Sequence, residues 1–159
     1  MDSPDNLIDF IVNNPLNLGS ASLARIAELT NSKRENNAAY YTNKFIVNEI
    51  YKQLPEFEKE EINILEPSVG VGNFLPFLFK KYENVKRVNI DVADIDKKNL
   101  QILQLLLQKK KMPSNVNINY INTDTLLYDF KKRYDLVVGN PPFSKLKAKD
   151  AKKVFWRII

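Results

Sequence analysis

The chain contains neither cysteine nor histidine among its 159 residues. Without cysteine it can form no disulfide framework and no thiolate metal site. Without histidine it lacks the commonest general base and metal ligand. Whatever chemistry the chain supports must therefore work without these two side chains, and we expect no bound metal.

Long hydrophobic runs are also missing, since no apolar stretch could span a membrane and no secretory signal is visible. These absences favour a cytoplasmic protein with no membrane partner. A chain of 159 residues is long enough to bury a real core as one domain. Its net charge of +5 and pI near 9.3 lean modestly towards a polyanionic partner.

The positive charge is unevenly spread and is concentrated near the end of the chain. Beyond Phe143 lie Lys145, Lys147, Lys149, Lys152, Lys153 and Arg157, against Asp150 as the single acid. Such a segment could contact phosphates. A solvated helix face or a loop is an equal alternative.

Four residues that suit a binding turn follow the apolar run 134–139, which we predict to be a buried strand. They are Asn140, Pro141, Pro142 and Phe143. The prolines fix the backbone and remove two N–H donors, which leaves the Asn140 side chain and the turn carbonyls to accept hydrogen bonds. Phe143 adds a flat apolar face. An extruded nucleobase with an exocyclic amine fits such a site, and an ordinary proline-rich connection is the alternative.

A second motif lies upstream, where the apolar strand 62–65 turns at Glu66 into a G-x-G loop. Gly70 and Gly72 would let the backbone approach a ligand, and the helix predicted over 74–82 would present free N–H groups to it. The pattern is weaker than the dinucleotide fingerprint G-x-G-x-x-G. The acidic Glu66 argues against a pyrophosphate and favours a ligand with an amino group, such as S-adenosylmethionine.

With these motifs the chain resembles the DNA amino-methyltransferases of the adenine-N6 class. Residues 66–74 look like their cofactor loop, and residues 140–143 match their catalytic tetrapeptide. Residues 39–42, followed by an amphipathic run over 43–54, look like their motif that folds over the methionine end of the cofactor. The resemblance implies S-adenosylmethionine as cofactor and, as substrate, adenine within a specific sequence of double-stranded DNA.

The resemblance also implies roles for individual residues. Methyl transfer falls to the tetrapeptide, Asn140, Pro141, Pro142 and Phe143. Cofactor binding falls to Tyr40, Thr42, Glu66, Pro67, Ser68, Gly70, Gly72, Asp94, Ile95, Asp124, Thr125 and Asn140. Asp94 lies about 20 residues past the glycine loop, where a carboxylate can accept both ribose hydroxyls. Asp124 matches a family acid that accepts a hydrogen bond from the adenine amine of the cofactor. The alternative role for Asp124 is to cap an Asx turn.

The remaining pattern predicts a three-layer α/β protein with a mainly parallel sheet, and the resemblance implies that this is a Rossmann-like methyltransferase fold. Asp96 is predicted to cap a helix over 97–111, and the alternating run 116–121 is predicted to be a strand. Residues 1–37 are expected to be a helical, non-catalytic segment and 38–159 the S-adenosylmethionine-binding domain. In the N-terminal segment, one apolar helix face contains Leu23, Ile26, Ala27 and Leu29.

The chain ends soon after the fourth predicted strand, whereas the family's sheet needs further strands and a target-recognition region. We therefore expect a fragment with little or no sequence-specific activity by itself. The resemblance implies a bacterial restriction-modification system with a restriction or specificity subunit as partner. Three alternatives stay open: an RNA N-methyltransferase, a protein glutamine-amide N-methyltransferase, and a non-catalytic module that binds nucleic acid or a partner.

Overall fold

The sheet of the protein contains parallel strands, as predicted. A computed structural model describes residues 4–30 and 44–141. The strands are β1 (Glu61–Glu66), β2 (Arg87–Asp94), β3 (Val116–Asn122) and β4 (Leu136–Val137). Their spatial order is β3-β2-β1-β4, and every neighbouring pair is parallel. The carboxyl ends of all four strands therefore lie at one edge of the sheet.

The helices of the described ranges form two groups. They are α1 (Pro4–Asn13), α2 (Ser20–Thr30), α3 (Lys44–Gln53), α4 (Leu75–Lys81) and α5 (Lys97–Gln108). Helices α3, α4 and α5 bury apolar side chains against the sheet face that carries Ile62, Ile64, Val88 and Ile90. Helices α1 and α2 pack on α5 instead, and they occupy most of the described range 4–30.

The opposite face of the sheet is polar towards the amino ends of the strands. Asn63, Asn89 and Asn117 lie side by side in register on β1, β2 and β3. Asn89 Nδ2 donates to Asn63 Oδ1 at 3.2 Å, and Asn117 Nδ2 donates to Asn89 Oδ1 at 3.2 Å. Because side chains alternate between the faces of a strand, these residues are interleaved with the core residues. The alternation predicted for residues 116–121 is confirmed by β3.

A second apolar cluster joins the N-terminal helices to the rest of the protein. It contains Leu7, Ile11, Leu23, Ala27, Val71, Ile102 and Leu106. Leu29 was expected on the same helix face but is 58% exposed, because it lies two residues beyond Ala27 and so on the other side of α2. The domain division at residue 37 stays a prediction, since it falls outside the described residues.

Helix α5 begins as predicted and ends earlier than predicted. Asp96 caps it, and Asp96 Oδ1 accepts a hydrogen bond from Lys98 N at 3.1 Å. The helix ends at Gln108 and not at residue 111. Lys110 N bonds to Leu107 O at 3.1 Å, an i→i−3 bond that tightens and closes the last turn.

Strand β4 is shorter and more exposed than the buried strand predicted over residues 134–139. It spans Leu136–Val137, and Val137 is 60% exposed. The prediction was wrong because an apolar run does not reveal which position a strand takes in the sheet. In the described sheet β4 pairs with β1 on one side and forms the edge on the other.

Candidate functional site

The predicted site residues lie where the strands end. Glu66 is the last residue of β1 and Asp94 is the last residue of β2. Asp124 follows β3 by two positions, and Asn140 follows β4 by three. The parallel order of the strands brings these four residues to the same edge of the sheet, which is where ligands bind in open α/β sheets.

The glycine loop after β1 is fixed to the end of β2 by two backbone donors. Val69 N donates to Ala93 O at 2.9 Å, and Gly70 N donates to Asp94 Oδ2 at 2.9 Å. Gly70 has φ +56° and Gly72 has φ +85°, a backbone conformation that side chains with a Cβ disfavour. A Cβ at Gly72 would also stand 2.5 Å from Leu103 Cδ1. A side chain at position 72 would thus strain the tight turn and force the Leu103 side chain of α5 to move.

Glu66 is a buried carboxyl with spare hydrogen-bonding capacity. It is 1% exposed, and its Oε2 has no hydrogen-bond partner among the described residues. Burial, and secondarily the charge of Asp94, raise the pKa of Glu66 well above its usual range. A buried carboxylate is costly unless it is paired. A cationic or N–H-bearing ligand at this edge of the sheet would supply the missing partner.

Asp94 is fully engaged by the protein itself. Its Oδ2 accepts from Gly70 N, and its Oδ1 accepts from Asp96 N at 2.8 Å. Asn99 Nδ2 lies 3.2 Å from both oxygens. Burial raises the pKa of Asp94, although the hydrogen bonds from Asp96, Gly70 and Asn99 act in the opposite direction. Since a carboxylate has about four acceptor positions, a ribose diol would have to displace one of these donors.

Asp124 takes part in the Asx turn that was the alternative to a binding role. Its Oδ1 accepts from Leu126 N at 3.1 Å, and its carbonyl accepts from Leu127 N at 3.0 Å. The turn is joined to β2 through Thr123 N, which donates to Asp94 O at 3.1 Å. Asp124 and Thr125 are both half-buried. The Asx turn leaves the second carboxylate oxygen of Asp124 outside that hydrogen bond.

Ile95 directly follows Asp94 and is 63% exposed. An exposed aliphatic side chain beside the strand end offers an apolar surface to a flat ring. Its two neighbours are fixed by hydrogen bonds, since Asp94 Oδ2 accepts from Gly70 N and Asp96 Oδ1 accepts from Lys98 N.

The end of β4 lies against the glycine loop. Val138 N donates to Leu65 O at 3.0 Å, which aligns this segment with β1. A Cβ at Gly139 would stand 3.2 Å from Pro67 Cδ and 3.7 Å from Ser68 Oγ. Ser68 Oγ is buried, and within the described part of the chain it has no hydrogen-bond partner. The half-buried Asn140 therefore follows a backbone segment that already touches the loop.

Four of the predicted site residues lie outside the described residues, namely Tyr40, Thr42, Pro142 and Phe143. Pro141 is the last described residue and is exposed. Across 4–30 and 44–141, no group of three or more acidic residues has an arrangement that could hold a metal ion. None of the helices in these ranges has the length and apolar character to cross a membrane.

One contact at the loop was not predicted from the sequence. Asn73 Nδ2 donates to Glu28 Oε1 at 2.6 Å, across 45 positions of the chain. Glu28 is buried in α2, within a segment that the sequence analysis treats as non-catalytic. The available sequence signal for this contact is that Glu28 directly follows Ala27 of the apolar helix face. Helical periodicity does not identify the residue to which Glu28 bonds.

Several curated methyltransferases are similar in sequence to more than half of this chain. The Type II methyltransferase M.CvrRI of Paramecium bursaria Chlorella virus XZ-6E is 26% identical over 115 residues, 72% of this chain and 27% of that protein. The Type II methyltransferase M.VspI of Vibrio sp. (strain 343) is 29% identical over 117 residues, 74% of this chain and 28% of that protein. A malonyl-[acyl-carrier protein] O-methyltransferase of Ilyobacter polytropus is 33% identical over 85 residues, 54% of this chain and 29% of that protein. The chain thus spans between a quarter and a third of the length of these relatives.

Solved structures share the fold, and a family model covers most of the chain. A structure described as a class I S-adenosylmethionine-dependent methyltransferase from Listeria monocytogenes has a TM-score of 0.62 at 15% identity, over 97% of this chain and 54% of that one. A structure described as a modification subunit of a type I restriction enzyme from Vibrio vulnificus YJ016 has a TM-score of 0.56 at 17% identity, over 84% of this chain and 30% of that one. The predicted Rossmann-like methyltransferase fold is therefore confirmed. Residues 50–159 match the model of the methyltransferase small domain, so the chain belongs to that family of methyltransferases and its cofactor is S-adenosylmethionine.

Proposed function

We propose that this chain is the cofactor-binding part of a DNA methyltransferase that methylates the N6 amine of an adenine taken out of the double helix. The observation that carries the proposal is the contact between the end of β4 and the glycine loop. Gly139 approaches Pro67 and Ser68 so closely that a side chain at position 139 would be crowded. The Asn-Pro-Pro-Phe segment therefore starts beside the loop where the cofactor would bind.

The residues at the strand ends fit the chemical groups of the cofactor. The unpaired Oε2 of Glu66 suits its ammonium group, because both the charge and the hydrogen bond would be matched. Gly70 and Gly72 present backbone without side chains. Asp94 would accept hydrogen bonds from the ribose hydroxyls, and Ile95 would pack on one face of the adenine ring. Asp124 would accept a hydrogen bond from the adenine amine.

When bound, S-adenosylmethionine supplies a methyl group on a sulfonium sulfur that needs no further activation. The protein then has to align the nucleophile. The Asn140 side chain and the Pro141 carbonyl would accept both N–H bonds of the target amine and turn its lone pair towards the methyl carbon. The target nitrogen would gain the methyl group as the cofactor departs as the neutral thioether S-adenosylhomocysteine, and the methylated amine would lose its extra proton to solvent.

The acceptors at Asn140 and Pro141 would favour the transition state over the bound substrate. Their hydrogen bonds strengthen as positive charge develops on the amine nitrogen. Phe143 would stack on the extruded base and offset part of an unstacking cost of a few kcal/mol. This division of labour requires neither histidine nor cysteine, which the chain lacks.

A restriction-modification role is part of the same proposal. Two relatives are named as Type II methyltransferases, and one structure with the same fold is described as a modification subunit of a restriction enzyme. A restriction or specificity subunit would be the corresponding partner. The net charge of +5 is compatible with a nucleic-acid substrate.

The proposal is tested by offering labelled S-adenosylmethionine and competing substrates to the full-length protein. The substrates are double-stranded DNA, RNA, a release-factor protein with an acceptor glutamine, and a malonyl acyl-carrier protein. We expect label in DNA, recovered as N6-methyladenine after digestion. Label in the malonyl carrier would instead support O-methyl transfer, which the relatives from Ilyobacter polytropus perform by name.

A further inference from the structure

Asn73 ends the glycine loop, and a residue of the N-terminal helices fixes its side chain. Asn73 Nδ2 donates to Glu28 Oε1 at 2.6 Å. The other oxygen, Glu28 Oε2, accepts from Arg25 Nη1 at 3.0 Å, and the Arg25 side chain is largely exposed. Glu28 itself is only 5% exposed. A carboxylate in such a position is costly unless it is hydrogen-bonded, so the contact with Asn73 ties the loop firmly to α2.

The loop has a second attachment to the same helices. Val71, between the two glycines, is buried in the cluster formed by α1, α2 and α5. On its other side the loop is held by Asp94 through Gly70 N. The segment from Gly70 to Asn73 is therefore clamped between the end of β2 and the N-terminal helices. Within this clamp, Gly72 N donates to Val69 O at 2.9 Å and closes the turn.

We propose that Glu28 is a positioning residue for cofactor binding, acting through Asn73. It keeps the backbone of Gly70 and Gly72 in the shape that accepts the ligand, without touching the ligand itself. The inference rests on the proposed assignment of the glycine loop to S-adenosylmethionine. It also makes α1 and α2 a working part of the site, although residues 1–37 read as non-catalytic by sequence.

A purely structural role for Glu28 predicts something different. If Glu28 only helped α2 to dock, its loss would lower the stability of the whole chain and affect all protected amides alike. If it acts through Asn73, the effect is local to the loop. It then disappears when Asn73 is already gone, because coupled residues give non-additive changes.

The test uses four variants of the 159-residue chain: Glu28→Ala, Asn73→Ala, the double variant, and the conservative Glu28→Gln. S-adenosylmethionine affinity is measured by calorimetry. We expect each single alanine variant to weaken binding about tenfold, as for one hydrogen bond to a charged group. The double variant should also lose about tenfold, not a hundredfold. Glu28→Gln, which can still accept from Asn73, should stay within about twofold of the original chain.

Amide hydrogen exchange without ligand gives a readout that does not depend on cofactor binding. Relative to the original chain, we expect Glu28→Ala to accelerate exchange more at Gly72 N than at Ile90 N. Ile90 lies in the middle of β2, so its amide reports global opening. Equal acceleration at both amides, or additive losses of affinity in the double variant, would overturn the inference.

An Asp94→Ala variant separates this inference from the proposed site. Binding lost in Asp94→Ala but unchanged in Glu28→Ala overturns the role of Glu28 and leaves the site intact. Faster exchange at Gly72 in Glu28→Ala, together with binding unaffected by Asp94→Ala, supports the loop contact and counts against the proposed site.

Discussion

Glu66 and Asp94 end the neighbouring strands β1 and β2, and their carboxyl groups face the same side of the sheet. Glu66 pairs in register with Val92, and Asp94 lies two residues beyond Val92. The pKa of Glu66 is raised well above its usual range, first by burial and second by the charge of Asp94. Burial and the charge of Asp94 therefore favour the protonated form of Glu66, whereas a cationic ligand beside it would favour the charged form.

The raised pKa of Glu66 predicts that the protein loses stability as the pH rises. The folded state holds this proton more tightly than the unfolded state, so the stabilisation is complete below the unfolded-state pKa. It is lost as the pH rises through the folded-state pKa, with a slope of at most about 1.4 kcal/mol per pH unit. We expect Glu66→Gln, a neutral isostere, to flatten this slope. Urea unfolding between about pH 5 and pH 8 measures it, and equal slopes in both chains would contradict the prediction.

Cofactor binding should release a proton from Glu66. An ammonium group next to this carboxyl favours its charged form and lowers its pKa. Calorimetric titrations with S-adenosylmethionine at one pH, in two buffers of different ionisation enthalpy, should give different heats. The difference should vanish in Glu66→Gln, together with much of the affinity. Identical heats in both buffers for the original chain would place the ammonium group elsewhere.

The sequence predicts the local secondary structure around the candidate site well and the long-range contacts there poorly. The end of β1 at Glu66 and the cap of α5 at Asp96 follow from apolar periodicity and turn chemistry over a few residues. The exposure of Val137 does not, because it depends on which strand pairs with β4. The bond between Glu28 and Asn73 joins residues 45 positions apart, which no local pattern reports.

Asp94→Ala should weaken cofactor binding at least tenfold, because it removes the acceptor of Gly70 N together with the proposed acceptor of the ribose hydroxyls. Asp91→Ala is the matched control. Asp91 is also buried in β2, but it lies on the other face and accepts from Tyr134 Oη at 2.6 Å. Both variants should lower the free energy of unfolding by about 1–3 kcal/mol. A similar loss of affinity in Asp91→Ala would show that stability, not the site, controls binding.

Gly72→Ala should destabilise the chain and weaken binding. The φ of +85° alone costs an alanine about 1–2 kcal/mol, and Leu103 must also move. Gly19→Ala is the comparison, since a Cβ at Gly19 meets nothing within 4 Å. We expect Gly19→Ala to cost less than about 1 kcal/mol and to leave affinity unchanged. Thermal unfolding and calorimetry measure both quantities, and equal effects of the two variants would contradict the tight turn at Gly72.

Asn140→Ala should abolish methyl transfer by the full-length protein and leave the affinity for S-adenosylmethionine within a few-fold. The Asn140 amide oxygen would accept a hydrogen bond from the target amine, and this bond strengthens as positive charge develops on the nitrogen. Its loss should raise the activation barrier by about 3 kcal/mol or more, which lowers the rate by more than about a hundredfold. Asn117→Ala is the control, because Asn117 is an exposed asparagine of β3 that bonds to Asn89 on the polar face. Single-turnover transfer to DNA with saturating cofactor isolates the chemical step. A normal rate in Asn140→Ala would remove Asn140 from the reaction, and a normal rate combined with lost cofactor affinity would assign it to cofactor binding instead.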